Sequence, residues 1–390
     1  MSAHTARIKT SSFQLNPSVA LAVCFTMLAC FSLTGFFASF ANTLSDFSAF
    51  FVAGKMVNVG DAALAYQLDD FRSAYRDVFP GAPDGYGWFY PPHTFLLHHA
   101  LSFLPFQIAR SVWLAGSFAL FLIAMRPWLK MPMHWLLAAC APAIAFHWHS
   151  GQTGFLVAAL LAFALHGFSL NNRSGDIKAG IAIGLLTLKP HLWLLLPLFL
   201  IVERRWRVIA VASAVFAALI AVSVTAYGIE PWRVMLNSAT GEYTTNHANE
   251  VGLFARMSNL QGLVQFLGWG QAGMAVMLAL ALSAFAAMFV LSRAGVPFAL
   301  RAAFMVAASF LIAPHNMIYD HTLFVPVVAL LLAPGLLAYG RPIQIAAFLL
   351  IAWPALYAFV PALGQFPFGV FVAVLFAFAL LLEARTATAR

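Results

Sequence analysis

Apolar runs alternate with short polar breaks along nearly the whole chain, and one polar interval, Ser45 to Pro92, is longer than the rest. Ahead of it roughly 24 apolar residues reach Phe40, enough to cross a bilayer core of about 30 Å. That run is too long for a signal-peptide core and no clear small-residue cleavage site follows it. It predicts an uncleaved first helix, with Arg7 and Lys9 left inside the cell and the 45–92 loop outside. Residues 93–125 are too long for one straight crossing and short for two, and a break at Leu104-Pro105 divides them into a surface or half-inserted helix followed by one span. Further spans are predicted at about 133–148, 153–170, 177–188, 190–202, 206–227, 271–293, 298–313, 321–338, 342–360 and 366–384, twelve in all. Two of these, 177–188 and 190–202, are short, which places their junction at Lys189-Pro190 below the membrane surface.

The basic residues agree with that count. Arg126 and Lys130, Arg173 and Lys178, the run Glu203-Arg204-Arg205-Trp206-Arg207, Arg293 and Arg301, Arg341, and Arg385 with Arg390 all fall on the cytoplasmic side. Two crossings within 93–125 would turn Arg126, Lys130 and the 204–207 cluster outward. Composition then sets the class. With 62% hydrophobic and 9% charged residues and a mean hydropathy of +0.86, the chain has too little polar surface for a soluble fold. The expected fold is an all-α polytopic membrane protein, residues 1–390 forming one integral membrane domain with extracytoplasmic loops at 41–92 and 228–270. The net charge of +8 does not indicate nucleic acid, because the cations sit in clusters between apolar runs and build no continuous basic face. Cys24, Cys30 and Cys140 lie in apolar runs and identify neither a redox compartment nor a metal.

The same topology gathers on the outer side every polar cluster that is not simply basic. These are Asp46 with the first loop, which holds six of the 13 acidic residues, then His147 to Gln152, Leu188 to His191, the segment 228–270, and His315 to His321. Ionisable groups at membrane depth are costly and mark functional sites. No G-x-G-x-x-G or P-loop pattern offers a nucleotide site, and a lipid-linked substrate fits this face better. His147 and His149 point to different sides of a helix and have no acidic ligands nearby, so no metal site is expected there. His98 and His99 are expected at the membrane interface.

An Asp just after the first helix, Trp88-Phe89-Tyr90-Pro91-Pro92 at the end of the first loop, Gly151-Gln152, Leu188-Lys189-Pro190, and Pro314-His315-Asn316 followed by Asp320-His321 occur in that order. The set resembles glycosyltransferase family 87 of the GT-C superfamily, over residues 17–340. One departure is Gly154, where many relatives carry an Asn. The resemblance implies a GT-C-type bundle with its active site in the extracytoplasmic loops, and a hexosyltransferase that uses a polyprenyl-phosphate sugar. The resemblance points to mannose as the sugar, a mannosyltransferase, and leaves a glycolipid, a cell-envelope glycan or another lipid as the acceptor. Implied partners are the polyprenyl-phosphate donor, a lipid or glycan acceptor and the membrane lipids, with no nucleic acid, cofactor or metal. The implied location is the bacterial inner membrane.

A hydroxyl acceptor needs a carboxylate within hydrogen-bond reach. Asp46, the first acid after the first span, is the candidate; its alternative role is to cap the helix that starts at Phe47. A departing phosphate needs cationic or N–H donors, for which Lys189, His191 and His321 are candidates. Lys189 has the alternative of snorkelling or holding an ordinary anionic lipid, and His321 that of pairing with Asp320. Trp88, Tyr90, His149 and Gln152 would hold the sugar by stacking and hydrogen bonds, or else form part of an aromatic belt. Asn259 and Asp320 join them as substrate-binding candidates, and Arg256 is a candidate for an acceptor phosphate or carboxylate. The stretch 228–262 is either a lid that excludes water or a connector. A transporter or flippase of a lipid-linked sugar is the alternative function. It predicts internal repeats and helices broken at the midplane, whereas no repeat is visible and the polar groups collect at one face.

Overall fold

The computed structural model describes residues 45–82, 87–130, 132–239, 251–333, 339–360, 363 and 365–389, together with Cys30 and Thr34. The first predicted span, Asp84 and the loop residues 241–250 lie outside the described residues. All regular structure among the described residues is helical.

The first loop contains more apolar structure than its polarity suggests. Helix α1 (Asp46–Asn58) has Asp46 in its first turn and Lys55 in its last, each favoured by the helix dipole. Between these ends it is apolar almost all round, with Phe47, Val52 and Ala53 fully buried. Helix α2 (Leu68–Val78) is amphipathic, turning Asp69 and Asp70 outward and burying Phe71 and Tyr75. The Tyr75 hydroxyl lies 2.5 Å from Ser48 Oγ and locks α2 onto α1. Helices α3 (Phe95–Ser102) and α4 (Phe106–Met125) meet at the expected Leu104-Pro105 break, and α1 packs along α3.

Beyond α4 come α5 (Pro132–Cys140), α6 (Pro142–Ser150), α7 (Gly154–Leu170), α8 (Arg173–Leu186), a 3-10 turn at Pro190–Trp193, and α9 (Leu196–Val202). The chain continues through α10 (Trp206–Tyr227), α11 (Glu230–Ala239), α12 (Val251–Arg256), α13 (Leu260–Phe266), α14 (Gly270–Arg293) and α15 (Phe298–Ile312). A 3-10 turn at Ile318–Leu323 leads to α16 (Phe324–Leu332), α17 (Arg341–Phe359) and α18 (Gly369–Ala389).

Among the described residues, five helices are long and apolar enough to cross a membrane: α4, α10, α14, α17 and α18. Exposed Leu278, Leu282 and Val290 on α14 form the apolar outer surface that a lipid-facing helix requires. The predicted count of twelve is not reached by this measure. The 133–148 span splits at Pro142, because proline supplies no N–H to the helical ladder, and the two short spans expected on either side of Lys189-Pro190 form α8, of 14 residues, and α9, of 7, both below crossing length. Helices α7 and α15 are apolar but shorter.

Helices α7, α8 and α10 pack side by side. The α8–α10 contact is close because Gly180 and Gly184, one turn apart, face Val211 and Val215. A Cβ on Gly184 would lie 2.6 Å from the Val215 Cβ. Gly184→Val is therefore expected to lower stability by about 1–3 kcal/mol through overpacking, measured by thermal unfolding in detergent.

Candidate active site

Three interruptions of the helices carry the polar candidates, and the first of them meets the start of α1. The first follows α6. Gly151 ends that helix in the left-handed conformation, with φ +70°, and a Cβ there would lie 2.7 Å from the Phe47 Cβ. Glycine alone permits both the turn and its contact with α1. Trp113 of α4 fixes the turn by donating its indole N–H to the Gly151 carbonyl at 3.0 Å. Gln152 is thereby carried to Asp46. Its Nε2 donates to Asp46 Oδ2 at 2.7 Å, and its Oε1 accepts from the Tyr90 hydroxyl at 2.8 Å. Burial raises the Asp46 carboxyl above its ordinary pKa; the Gln152 hydrogen bond and the Lys189 charge oppose that rise, and the Asp320 charge adds to it.

The second and third interruptions meet in an ion pair. Lys189, between α8 and the 190–193 turn, donates from Nζ to Asp320 Oδ1 at 2.6 Å, and the two side chains are 4% and 2% exposed. Asp320 Oδ2 accepts the Met317 N–H at 3.0 Å, and Lys189 Nζ lies 5.4 Å from the centre of the Tyr319 ring. These additional contacts matter because a charge pair removed from water is stable only when its remaining donors and acceptors are also met. His147 and Tyr319 join the two groups: His147 Nε2 lies 2.6 Å from the Gln152 carbonyl oxygen, and its ring centre is 6.5 Å from that of Tyr319, the ring that Lys189 faces. His191 stands at its edge, its ring 6.4 Å from that of His315.

Asp46, Tyr90, Gln152, Lys189, His191 and Asp320 are thus brought together, with Trp88 against Tyr90 at a ring-centre distance of 5.4 Å; the other candidates stand apart. Trp88 is buried in the first-loop core, stacked on Phe95 at 5.1 Å. His321 sits between Phe310 and Phe324, its Nδ1 3.4 Å from the Leu350 carbonyl. Its alternative role, a pairing with Asp320, is not found: the Asp320 carboxylate accepts from Lys189 and from the Met317 N–H. Asn259 caps α13 by accepting the Gly262 N–H at 2.8 Å and donates to the Ala313 carbonyl at 2.8 Å. His149 is exposed on α6, and Arg256 is exposed at the end of α12. Asp46 directs its carboxylate to Gln152 instead of capping α1. His98, expected at the interface, is buried and stacked on Phe50 at 4.6 Å.

Several supporting residues escaped the sequence reading. Trp113 lies within an apolar span and gives no local sign of its bond to residue 151. His147 is fully buried with Nε2 2.6 Å from the Gln152 carbonyl oxygen, and no group of three possible metal ligands occurs among the described residues. Buried Asn316 accepts the Ser258 N–H at 3.0 Å and donates to the Phe310 carbonyl at 2.7 Å. The second loop also leans on the first. Trp232 of α11 stacks on His93, with ring centres 5.8 Å apart. Burial holds the His93 pKa down to about 4, so at neutral pH it is an uncharged aromatic partner.

Comparison with known proteins adds a family. The family described as glycosyltransferase family 87 matches residues 88–314, more than half of the chain. No curated protein and no solved structure matches. The matched region includes Tyr90, Gln152, Lys189 and His191; Asp46 and Asp320 lie outside it.

Asp320→Ala leaves the Lys189 charge buried and unpaired, with an expected loss of about 3–5 kcal/mol in stability. Lys189→Met combined with Asp320→Leu should recover most of that loss in the same thermal-unfolding assay.

Proposed function

Since the chain belongs to glycosyltransferase family 87 and is a membrane glycosyltransferase acting between a donor and an acceptor, we propose that the Asp46 and Lys189 groups form its active site and that a polyprenyl-phosphate sugar is its donor. The observation that carries this reading is the placement of a proton acceptor and a buried cation in one cluster at the ends of broken helices. Asp46 takes the proton of the acceptor hydroxyl as its oxygen attacks the anomeric carbon. The bond from that carbon to the phosphate oxygen breaks, and the polyprenyl phosphate leaves with its charge facing Lys189 and with His191 nearby. A single displacement of this kind inverts the anomeric configuration. Gln152 and Tyr90 orient the base, and Asp320 and Tyr319 position the lysine.

Mannose is the sugar that the family resemblance favours, and the acceptor is a lipid or glycan of the cell envelope. Residues 1–390 act as one membrane domain. The site lies on the extracytoplasmic face of a bacterial inner membrane, an orientation supported by the position of Arg126 and Lys130 just past the far end of α4. The 228–262 segment serves as a lid, for which the Trp232–His93 stack is the support.

With full-length protein in liposomes, radiolabelled polyprenyl-phosphate mannose and a membrane-lipid extract, label should enter a new glycolipid. Asp46→Asn should reduce that transfer by roughly 10²- to 10⁴-fold. Label crossing the bilayer without transfer, in both proteins, would replace this reading with the transporter. The base must be ionised, so activity falls as pH drops through the Asp46 pKa, and the acid limb should lie above the ordinary carboxylate range. Gln152→Leu removes a hydrogen bond to the ionised form and should move that limb to still higher pH; a pH–rate profile that does not move would exclude Asp46 as the base.

A further inference from the structure

A second polar site lies at the opposite end of the bundle. Helix α4 starts beside α1, where Phe106 packs on Phe47 at 5.8 Å, and its 20 residues extend roughly 30 Å away from there. At that far end a cleft of about 600 Å³ opens between the end of α4, α7 and α8. Arg126, Lys130 and Lys178 line it with His166 and Trp128, and no carboxylate is among its described lining residues. Asp176, two residues before Lys178, is occupied by Arg205 at 3.3 Å and Arg207 at 3.0 Å. Arg126, Lys130 and Lys178 form no ion pair among the described residues.

The walls change character within one turn. Ile123 and Phe163 line the cleft beside the cations, Ile123 three residues before Arg126 and 61% exposed; outside the lining, Ile181, one turn past Lys178 on α8, is also exposed, at 44%. Trp128 lies at the transition, edge-on to His166 with ring centres 6.0 Å apart, the position an aromatic takes at a membrane interface. A ligand matching this gradient carries a phosphate at one end and hydrocarbon at the other. We propose that the cleft binds the phosphate headgroup of an anionic membrane lipid, at a site separate from the Asp46 cluster.

Full-length protein in detergent would be titrated with phosphatidylglycerol or with phosphatidylcholine of the same acyl chains, and lipid adducts counted by native mass spectrometry. The expected result is a preference for phosphatidylglycerol that falls roughly tenfold to thirtyfold when Lys130→Gln and Lys178→Gln are combined. Arg293→Gln with Arg341→Gln, which removes the same charge outside the cleft, should leave the preference in place. An equal fall in both double variants, or no preference in the parent protein, would overturn the proposal. Displacement of phosphatidylglycerol by an equal concentration of inorganic phosphate would show a site for free phosphate and would overturn the lipid assignment. Transferase activity enters none of these readouts, so they stand apart from the identity of the reaction.

Discussion

A lysine and an aspartate with almost no exposure can persist inside an apolar bundle only if each is the other's counter-charge. Lys189 and Asp320 meet at 2.6 Å, 131 positions apart in sequence, and most of the polar interior is arranged around that contact. The two segments that carry them must both leave the helical path to bring the side chains together. Pro190 interrupts one, and the non-helical stretch from Ala313 to Met317 interrupts the other. The backbone groups freed by these breaks then need partners, because no water in the hydrocarbon would satisfy them. At the second break Asn316, Asn259 and Asp320 itself supply them, and past the first the Leu195 N–H donates to Ser309 Oγ.

The second polar group depends on packing of a different kind. Asp46 meets Gln152 because the start of α1 fits against Gly151, a contact with no room for a side chain, while Trp113 holds the turn from the other side. The catalytic proposal therefore rests on rigid elements: a helix start, a glycine turn and an indole, each fixed by its neighbours. The two loops over this end are tied together through His93 and Trp232, and the second is anchored to the helix break at residues 313–316 by Asn259 and Asn316. A water-excluding cover over a glycosyl donor needs both features, closure between loops and attachment to the site beneath.

The far end follows other rules. There the charges are exposed or paired with one another: Asp176 holds Arg205 and Arg207, and Glu203 pairs with Arg301. Asp176 is thereby engaged, and Arg126, Lys130 and Lys178 form no ion pair among the described residues. One bundle thus carries the buried Asp46 and Lys189 groups at one end and a cationic cleft at the other.

The sequence by itself determined the class of the protein, the positions of many helices and most of the residues that meet in the site. Apolar runs, helix-breaking prolines and charge clusters act locally, and a bilayer solvent makes them unusually decisive. The ordered motifs around Tyr90, Gln152 and Lys189 also carried the family. Only the tertiary structure decided which candidates serve packing. Trp88 and His321 offer ring N–H groups as His191 does, yet aromatic neighbours enclose them. Asp320 was legible as a polar residue at membrane depth, and pairing with the adjacent His321 was one of the roles left open, because sequence reading sees near neighbours first. Lys189 claims it instead, since a full positive charge out of water requires a full negative one, and the fold alone sets which carboxylate is within reach.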